Sequence, residues 1–279
     1  MRTGFYTEGL LSSEISFGCL TQGFSDTPSG MRVYPEELEG ESFFGSYAQA
    51  MEFAGKFKNA AKGAIVYTDG AGGENAFVRS LSALLGCPVA GGGAARTTGR
   101  TGDGFSAGYG ECAVAVFTGP GMQFVPSMKN LHTNIVEECL VEYEGRVLRK
   151  INGMDAGEYL RGKKESLGFA PSDFERVTLS TKAHVNAHMS EQNGIVVSGR
   201  DPEEHMLLRS VVPGEYQTLC EKFYQENENA IVFGCAGLKG ILERPFVSGC
   251  LGAFLFGEIC SLGPESDFGN LMLSKLVIA

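Results

Sequence analysis

The stretch from residue 64 to residue 93, AIVYTDGAGGENAFVRSLSALLGCPVAGGG, carries the clearest fold signal in this chain. Its first four residues, 64–67, form a short apolar run that is typical of a buried strand. An apolar stripe with helical spacing follows at 77–85 and ends at a glycine. A second short apolar run at 87–90 then enters three consecutive glycines. The stretch therefore predicts a β-α-β unit.

The residues on either side extend this unit into a mixed sheet. Upstream, apolar residues recur every three or four positions from Phe43 to Ala61, which predicts a helix that begins near Ser42 and stops at Gly63. Downstream, a short glycine-rich connection leads to the apolar run 112–117, and short connections join antiparallel strands. We therefore expect a mixed α/β (α+β) fold with parallel and antiparallel strands in one sheet.

The second half of the chain echoes the first. AIVF at 230–233 resembles AIVY at 64–67, and an amphipathic helical pattern precedes each run. In each half a proline-containing apolar run leads to glycine, at 88–92 and at 245–249. Glycine-rich sequences also produce such matches by chance, so internal duplication and coincidence both stay open. A duplication would place a ligand site at the seam between the halves.

Composition narrows the class of protein. The chain has 279 residues, of which 43% are apolar and 20% charged, as in ordinary globular proteins. The formal net charge of −10, without a dense Lys or Arg cluster, disfavours binding to nucleic acid or to an anionic membrane. No signal peptide is recognisable, and the eight cysteines form no CxxC pair. We therefore expect reduced, buried thiols in a cytoplasmic protein.

Several runs resemble the FIST sensory domain family. The run 230–237, AIVFGCAG, is similar to the alvfsCAGR signature of the FIST C-terminal domain. The run 249–259, which ends in FLFGEI, is similar to its GfytyGEI motif, and 268–273, FGNLML, is similar to its closing fhN.tl strand. Upstream, 147–160 resembles the segment that opens this domain, and 88–94 resembles the centre of the FIST N-terminal domain. The C-terminal motifs are the specific part of the resemblance.

This resemblance implies two related halves, each a mixed, mainly antiparallel sheet with flanking helices, packed together. It divides the chain into an N-terminal extension at 1–40, a FIST N-like half at 41–140 and a FIST C-like half at 141–279. It also implies an intracellular sensory protein for an amino acid or similar small metabolite, which would act through a separate signalling protein. Leu238 and Gly269 depart from the family pattern, which usually has Arg and His at these places.

Cys235 and Glu258 are candidates for ligand contact, and a purely structural thiol is the other interpretation of Cys235. Cys235 follows a buried strand, where an α/β fold exposes side chains at the carboxyl end of its sheet. Glu258 lies in an apolar run, so its carboxylate needs a pocket, a cation or a backbone N–H unless it faces outward from an edge strand. If 249–259 and 270–278 pair as adjacent antiparallel strands, Asn270 joins both side chains in one cleft. Such a cleft could hold an amino group at Glu258 and orient it through Asn270.

Glycines are expected to leave room for the ligand. Gly237 follows Cys235 by two residues and Gly257 precedes Glu258, so both would lie at the cleft. Gly91 and Gly92 permit a close backbone approach, either to a neighbouring strand or to a ligand.

Two further features allow a functional and a structural interpretation. Asp69 opens a glycine-rich loop between a strand and a helix, where backbone N–H groups could hold an anion, and the alternative is a plain tight connection. His184 and His188 are four residues apart and would share a face. Zinc needs two more ligands and no cysteine lies nearby, so we expect no metal.

The sequence favours a ligand-binding sensor without a cofactor and assigns no catalytic residue. It contains no HExxH motif. The alternative is a small-molecule hydrolase or transferase that uses Cys235 or Glu258 in the same cleft. An active Cys235 would need a lowered thiol pKa, yet no histidine lies near it in the sequence. A pure interaction module, in which a surface rather than a pocket acts, is the third hypothesis.

Overall fold

A computed structural model gives the fold of the chain. It describes residues 40–68, 73–93, 99–101, 104–106, 111–121, 123–225, 230–235, 237–238, 241, 251–255, 257–262 and 265–278. The predicted N-terminal extension, apart from Gly40, and the candidate residue Asp69 lie outside these ranges.

Strands make up most of the regular structure described. The helices are α1 (Tyr47–Gly55), α2 (Glu74–Leu85), α3 (Ala156–Ser166) and α4 (Glu215–Gln225). The strands are β1 (Gly40–Ser46), β2 (Gly63–Thr68), β3 (Val89–Gly93), β4 (Gly99–Thr101), β5 (Gly104–Ser106), β6 (Glu111–Phe117), β7 (Phe124–Asn130), β8 (Asn134–Glu144), β9 (Val147–Ile151), β10 (Met154–Asp155), β11 (Val177–Ser180), β12 (Asn186–Ala187), β13 (Met189–Gln192), β14 (Ile195–Ser198), β15 (His205–Ser210), β16 (Ala230–Cys235), β17 (Leu251–Leu255), β18 (Glu258–Leu262), β19 (Glu265–Gly269) and β20 (Met272–Ile278). The mixed α/β prediction is therefore right in outline, with sheet predominating.

The predicted β-α-β unit is confirmed within a six-stranded sheet of order β1-β6-β2-β3-β18-β19. Strands β2 and β3 are parallel, with α2 between them in the chain, and β6 pairs antiparallel with β2. Helix α2 ends at Gly86, whose left-handed φ of 64° suits glycine. Its apolar stripe packs on the sheet, with Phe77 and Leu81 against Val66 and Val114. The 3.6-residue spacing of that stripe explains why this helix was predictable.

The helix predicted from Ser42 to Gly63 is wrong at both ends. Residues 40–46 form β1, an edge strand antiparallel to β6, and α1 then runs only to Gly55. The Ser46 hydroxyl accepts a hydrogen bond from the Gln49 N–H, and the Gln49 side chain accepts one from the Ser46 N–H. This capping box fixes the start of the helix, although Phe43 upstream also fits helical spacing.

A separate four-stranded sheet has the order β17-β16-β20-β7. Strand β16 is parallel to β17 and antiparallel to β20, which is antiparallel to β7. Helix α4 covers one face, where Tyr216 and Cys220 pack with Val232 and Leu273. The predicted strand at 230–233 and the apolar stripe before it are therefore confirmed.

The third sheet is closed, because its first and last strands, β12 and β13, are two parts of one chain segment. Its order is β12-β11-β15-β8-β9-β14-β13, with β10 paired to β9, and each neighbouring pair is antiparallel. Strands β12 and β13 lie at opposite ends of this order, yet only His188 separates them in the chain. The segment thus pairs with β11 through its first part and with β14 through its second. Tyr159 and Leu160 of α3 join the apolar core of this sheet.

The strands of the C-terminal region do not pair as predicted. The expected single strand at 249–259 includes two separate strands, β17 and β18. Strand β18 pairs with β19 and β3, whereas β20 lies between β16 and β7 in another sheet. Strand β7 also joins strands from the C-terminal region, and β18–β19 join the sheet that contains β1–β3, while the division at 140/141 stays a prediction. Long-range pairing, which local patterns do not encode, decides both outcomes.

No helix in the part of the chain described has the length and apolarity needed to cross a bilayer. Five cysteines with described side chains are buried free thiols, as predicted: Cys87, Cys112, Cys139, Cys220 and Cys235.

Candidate functional site

The candidate site lies where the six-stranded and four-stranded sheets meet. Cys235 is the last residue of β16, Glu258 is the first residue of β18, and Asn270 begins the short link from β19 to β20. The antiparallel register of β18 and β3 places Glu258 opposite Gly92. Three strand ends therefore bring together residues that are distant in the sequence, even though the predicted pairing was wrong.

Glu258 is fully buried, with 0% of its surface exposed. The Met272 N–H donates a hydrogen bond to its Oε1 atom, and the carboxyl also hydrogen-bonds the Cys235 thiol. Burial raises the pKa of Glu258 well above its ordinary value, because desolvation outweighs these two hydrogen bonds. The sequence allowed Glu258 either to bind a backbone N–H or to face outward from an edge strand. The structure shows a backbone N–H, that of Met272, bound to its carboxyl group.

Cys235 is 5% exposed and lies against Glu258. Backbone N–H groups of Leu271, Gly237 and Gly257 point to its sulfur and favour the thiolate. Burial opposes them and is the larger effect, so the pKa of the Cys235 thiol is raised, with the Glu258 carboxyl adding to the rise. A raised pKa is the reverse of what a cysteine nucleophile needs at neutral pH. Cys235 and Glu258 thus form a buried pair in which burial raises the pKa of both groups.

Asn270 lies near this pair and forms hydrogen bonds with two residues of the closed sheet region, Asn186 and His188. Its backbone N–H donates to the Asn186 carbonyl at 2.9 Å, and its Oδ1 accepts the His188 N–H at 3.2 Å. His188 separates β12 from β13, so the amide supplies an acceptor at the point where that strand changes partners. Sequence reasoning missed Asn186 and considered His188 only as part of a metal pair, because residues 162–200 show no regular apolar period.

The space beside Gly237 and Gly257 is occupied by side chains of the protein itself. A Cβ on Gly237 would lie 2.7 Å from Leu271 Cδ2, and one on Gly257 would lie 2.5 Å from Phe268 Cζ. Gly257 also has a left-handed φ of 95°. The protein's own side chains fill the space that these glycines provide, so both glycines serve close packing.

The remaining candidate residues have structural explanations in the described region. A Cβ on Gly91 would lie 1.9 Å from the Val66 carbonyl oxygen, so the neighbouring strand accounts for this glycine. His184 hydrogen-bonds Arg209 through its Nδ1 atom. Among the described residues, no group of three or more His, Cys, Asp or Glu side chains is placed to hold a metal ion.

A second buried polar cluster joins α2 to β19, and sequence reasoning missed it. Asp267 accepts hydrogen bonds from Asn75 Nδ2 at 2.9 Å, Arg79 Nη2 at 2.8 Å and Arg200 Nη2 at 3.1 Å. Arg200 is only 1% exposed. The preceding residue, Gly199, approaches the Asn270 amide so closely that a Cβ would lie 2.6 Å from Oδ1. The two polar clusters are therefore neighbours.

Comparison with known proteins gives no relative: no protein-family model, curated protein or solved structure matches this chain. The chemistry of the site consequently has to carry any functional argument. A buried carboxyl group, a thiol and an anchored amide offer hydrogen-bond donors and acceptors, and the raised pKa of the Cys235 thiol does not suit it to nucleophilic attack.

Proposed function

We propose that this chain is a cytoplasmic sensory protein that binds a small ligand, of the amino-acid class, at the Cys235–Glu258 pair. The supporting observation is the meeting of Cys235, Glu258 and Asn270 at the junction of two sheets. Buried polar groups of different chemistry, brought to one point by separate strand ends, are a common basis for ligand specificity. The FIST resemblance of the motifs that contain these residues supports the same function.

The strand orders of the two sheets support a further part of this proposal, namely two related halves. The order β3-β2-β6-β1 in one sheet corresponds to β17-β16-β20-β7 in the other, with the same parallel and antiparallel relations. The proposed ligand site then lies at the seam between the halves.

Ligand binding at this pair should release a proton from Glu258 and should displace the structure around the pair. A ligand ammonium group is best matched by an ionised Glu258, whose pKa burial raises. Binding should therefore release a proton, and affinity should rise with pH until the raised pKa is reached. Because Cys235 and Glu258 are 5% and 0% exposed, the ligand also has to displace local structure. Such a displacement is a suitable signal for a separate partner protein.

Asn270 provides a route by which that displacement reaches the closed sheet. Its side chain and its backbone bind His188 and Asn186, which belong to the segment that closes this sheet. A ligand that moves Asn270 would alter both hydrogen bonds, so the β12–β13 segment is the part of the molecule expected to respond.

A thermal-shift screen against the common amino acids and small amines tests the function. A ligand at 100 times its dissociation constant should raise the free energy of unfolding by about 2.7 kcal/mol. Glu258→Gln, which keeps the shape but removes the ionisable group, should abolish the response to cationic ligands. The absence of any stabilising ligand in the panel would contradict the proposal.

Reactivity of the thiols distinguishes the sensor from the enzyme alternative. With its pKa raised by burial, Cys235 should react with iodoacetamide at neutral pH no faster than Cys87, whose pKa burial raises to about 12. Mass spectrometry of the alkylated peptides provides the rates. Selective, rapid labelling of Cys235 would favour the enzyme.

A further inference from the structure

The Arg200 guanidinium is the most unusual buried charge in the described region. It is 1% exposed, and only its Nη2 atom has a partner, Asp267 Oδ2 at 3.1 Å. Its Nε and Nη1 atoms are buried and have no hydrogen-bond partner among the described residues. A buried guanidinium that leaves donors unmatched loses the hydrogen bonds that water would supply, so such donors usually have an unseen partner.

Arg200 lies beside the first turn of α2. Asp267, which accepts from Arg200 through Oδ2, accepts from Asn75 Nδ2 through Oδ1 at 2.9 Å. Asn75 is the second residue of α2 and is 5% exposed, and its buried Oδ1 atom has no hydrogen-bond partner in the part of the chain that the structure describes. The N-cap residue Gly73 supplies no side-chain cap for this helix. Unmatched donors on Arg200 and an unmatched acceptor on Asn75 therefore flank one carboxylate.

The charges around Arg200 are balanced, so its unmatched donors, rather than a net positive charge, would bind an anion. Asp267 is shared by two guanidinium groups, those of Arg200 and Arg79. Glu203, with a side chain 44% exposed, is the other acid near them, at 3.8 Å from Arg200 and 4.0 Å from Arg79.

The adjacent acids have a cation of their own. Arg146 binds Glu74 at 2.6 Å and Asp201 at 3.0 Å. The partly exposed side chains of Arg79 and Glu203 lie beside the buried guanidinium, and they are the groups that would move to admit a ligand.

We propose that Arg200 and Asn75 bind a small oxyanion, a carboxylate or a phosphate group, at the first turn of α2. The guanidinium would donate from Nε and Nη1 to the anion, and the helix N-terminus would favour its charge. The Asn75 Oδ1 atom would accept a hydrogen bond from a hydroxyl or ammonium group of the same ligand. This site is separate from the Cys235–Glu258 pair and does not depend on the function proposed above.

Calorimetric melting with inorganic phosphate, acetate and chloride at matched ionic strength tests the proposal. The wild-type protein should melt at a higher temperature in phosphate or acetate than in chloride, and the two anions distinguish a phosphate from a carboxylate site. Arg200→Gln should lower the affinity at least about tenfold, because charge-assisted hydrogen bonds are lost. Arg149→Gln is the matched control, since it removes an equal charge from a side chain that is 55% exposed.

The controls make the outcomes distinct. Equal melting of the wild type in all three salts would overturn the proposal and leave buried water as the partner of Arg200. An undiminished response in Arg200→Gln would overturn it as well. Glu258→Gln should keep the full anion response, so failure here is distinguishable from failure of the sensor proposal.

If Arg200→Gln does not fold, hydrogen exchange of the wild-type protein tests the proposal instead. Phosphate or acetate should slow exchange in the peptides around Arg200 and Asp267 relative to chloride at the same ionic strength. Unchanged exchange in both peptides would overturn the proposal.

Discussion

The six-stranded and four-stranded sheets share one pattern but differ at their edges. In the first, β2 pairs with parallel β3 on one side and antiparallel β6 on the other, and in the second β16 pairs likewise with β17 and β20. The registers also correspond, because Val66 lies opposite Gly91 and Val232 lies opposite Gly252. The free edge of β3 is taken by β18, whereas β17 has β16 as its one described partner.

This difference explains where the candidate site lies. Strands β18 and β19 follow β17 in the chain, yet they complete the sheet that contains β3. Glu258 is the first residue of β18 and therefore lies where the chain passes from one sheet to the other. Cys235 ends the central strand of the second sheet and contacts Glu258 at this crossing. The site is thus a product of the asymmetry between two similar sheets.

The largest effect is expected where the shared register forces a close approach. Gly91→Ala should lower the free energy of unfolding by about 3 kcal/mol, because the new Cβ would lie 1.9 Å from the Val66 oxygen and φ is 130°. Urea denaturation measures the loss. Gly252→Ala tests whether the second sheet behaves in the same way. A similar loss of stability would show that the two sheets correspond in packing as well as in register, and a negligible loss would show that they correspond in register only.

A glycine in open surroundings provides the control. A Cβ on Gly162 of α3 would meet no atom within 4 Å, and φ there is not left-handed. Gly162→Ala should stabilise the protein by up to about 1 kcal/mol through helix propensity. A comparable destabilisation by Gly162→Ala and Gly91→Ala would contradict the steric explanation.

The next effect concerns the contact between the candidate site and the closed sheet. Asn270→Ala should destabilise the protein by about 2 kcal/mol, because the His188 N–H loses its acceptor. Hydrogen exchange resolved to individual amides should show faster exchange at His188, with little change in β2. Unchanged protection at His188 would mean that Asn270 does not hold the β12–β13 segment.

Glu258→Gln is expected to produce a pH-dependent effect. Burial raises the pKa of folded Glu258 above that of the unfolded chain, so its contribution to stability is complete at acidic pH and is lost as pH rises through the raised value. Gln has no such loss. The stability difference in favour of Gln should therefore grow from pH 5 to pH 8, by at most about 1.4 kcal/mol per pH unit. A pH-independent difference would contradict a raised pKa.

The smallest effect is expected outside both compared sheets. Arg149 and Glu144 form an ion pair on the closed sheet, with side chains 55% and 76% exposed. Removing both charges should change the free energy of unfolding by less than about 0.5 kcal/mol, because water screens such pairs. A larger loss in thermal denaturation would show that this sheet depends on surface charge.

Local sequence patterns predicted local structure well. The stripes of α2 and α4 and the short runs of β2 and β16 are set by side-chain periodicity and burial, which the sequence displays directly. The start of α1 was missed although Ser46 and Gln49 have capping-box spacing, a signal that would have corrected the helix.

The candidate site could be predicted only in part. Cys235 contacts Glu258, and Asn270 directly precedes Leu271 and Met272, whose N–H groups bind this pair, but β18 pairs with β3 rather than with β20. Such pairing depends on which distant strand fills a free edge, and neither periodicity nor turn residues encode that choice. The same reason hid the Asn186 and His188 contacts and the Arg200–Asp267 cluster. The ligand-binding role of these residues stays a prediction.

The most direct test of the central claim counts protons during ligand binding. Titration calorimetry of the best stabilising amine or amino acid, in buffers of different ionisation enthalpy, measures the protons released per ligand bound. Below the raised pKa of Glu258, the wild type should release close to one proton per ligand and bind more tightly as pH rises. Glu258→Gln should release none. Binding without proton release in the wild type, or equal release in both proteins, would contradict a ligand site at Glu258.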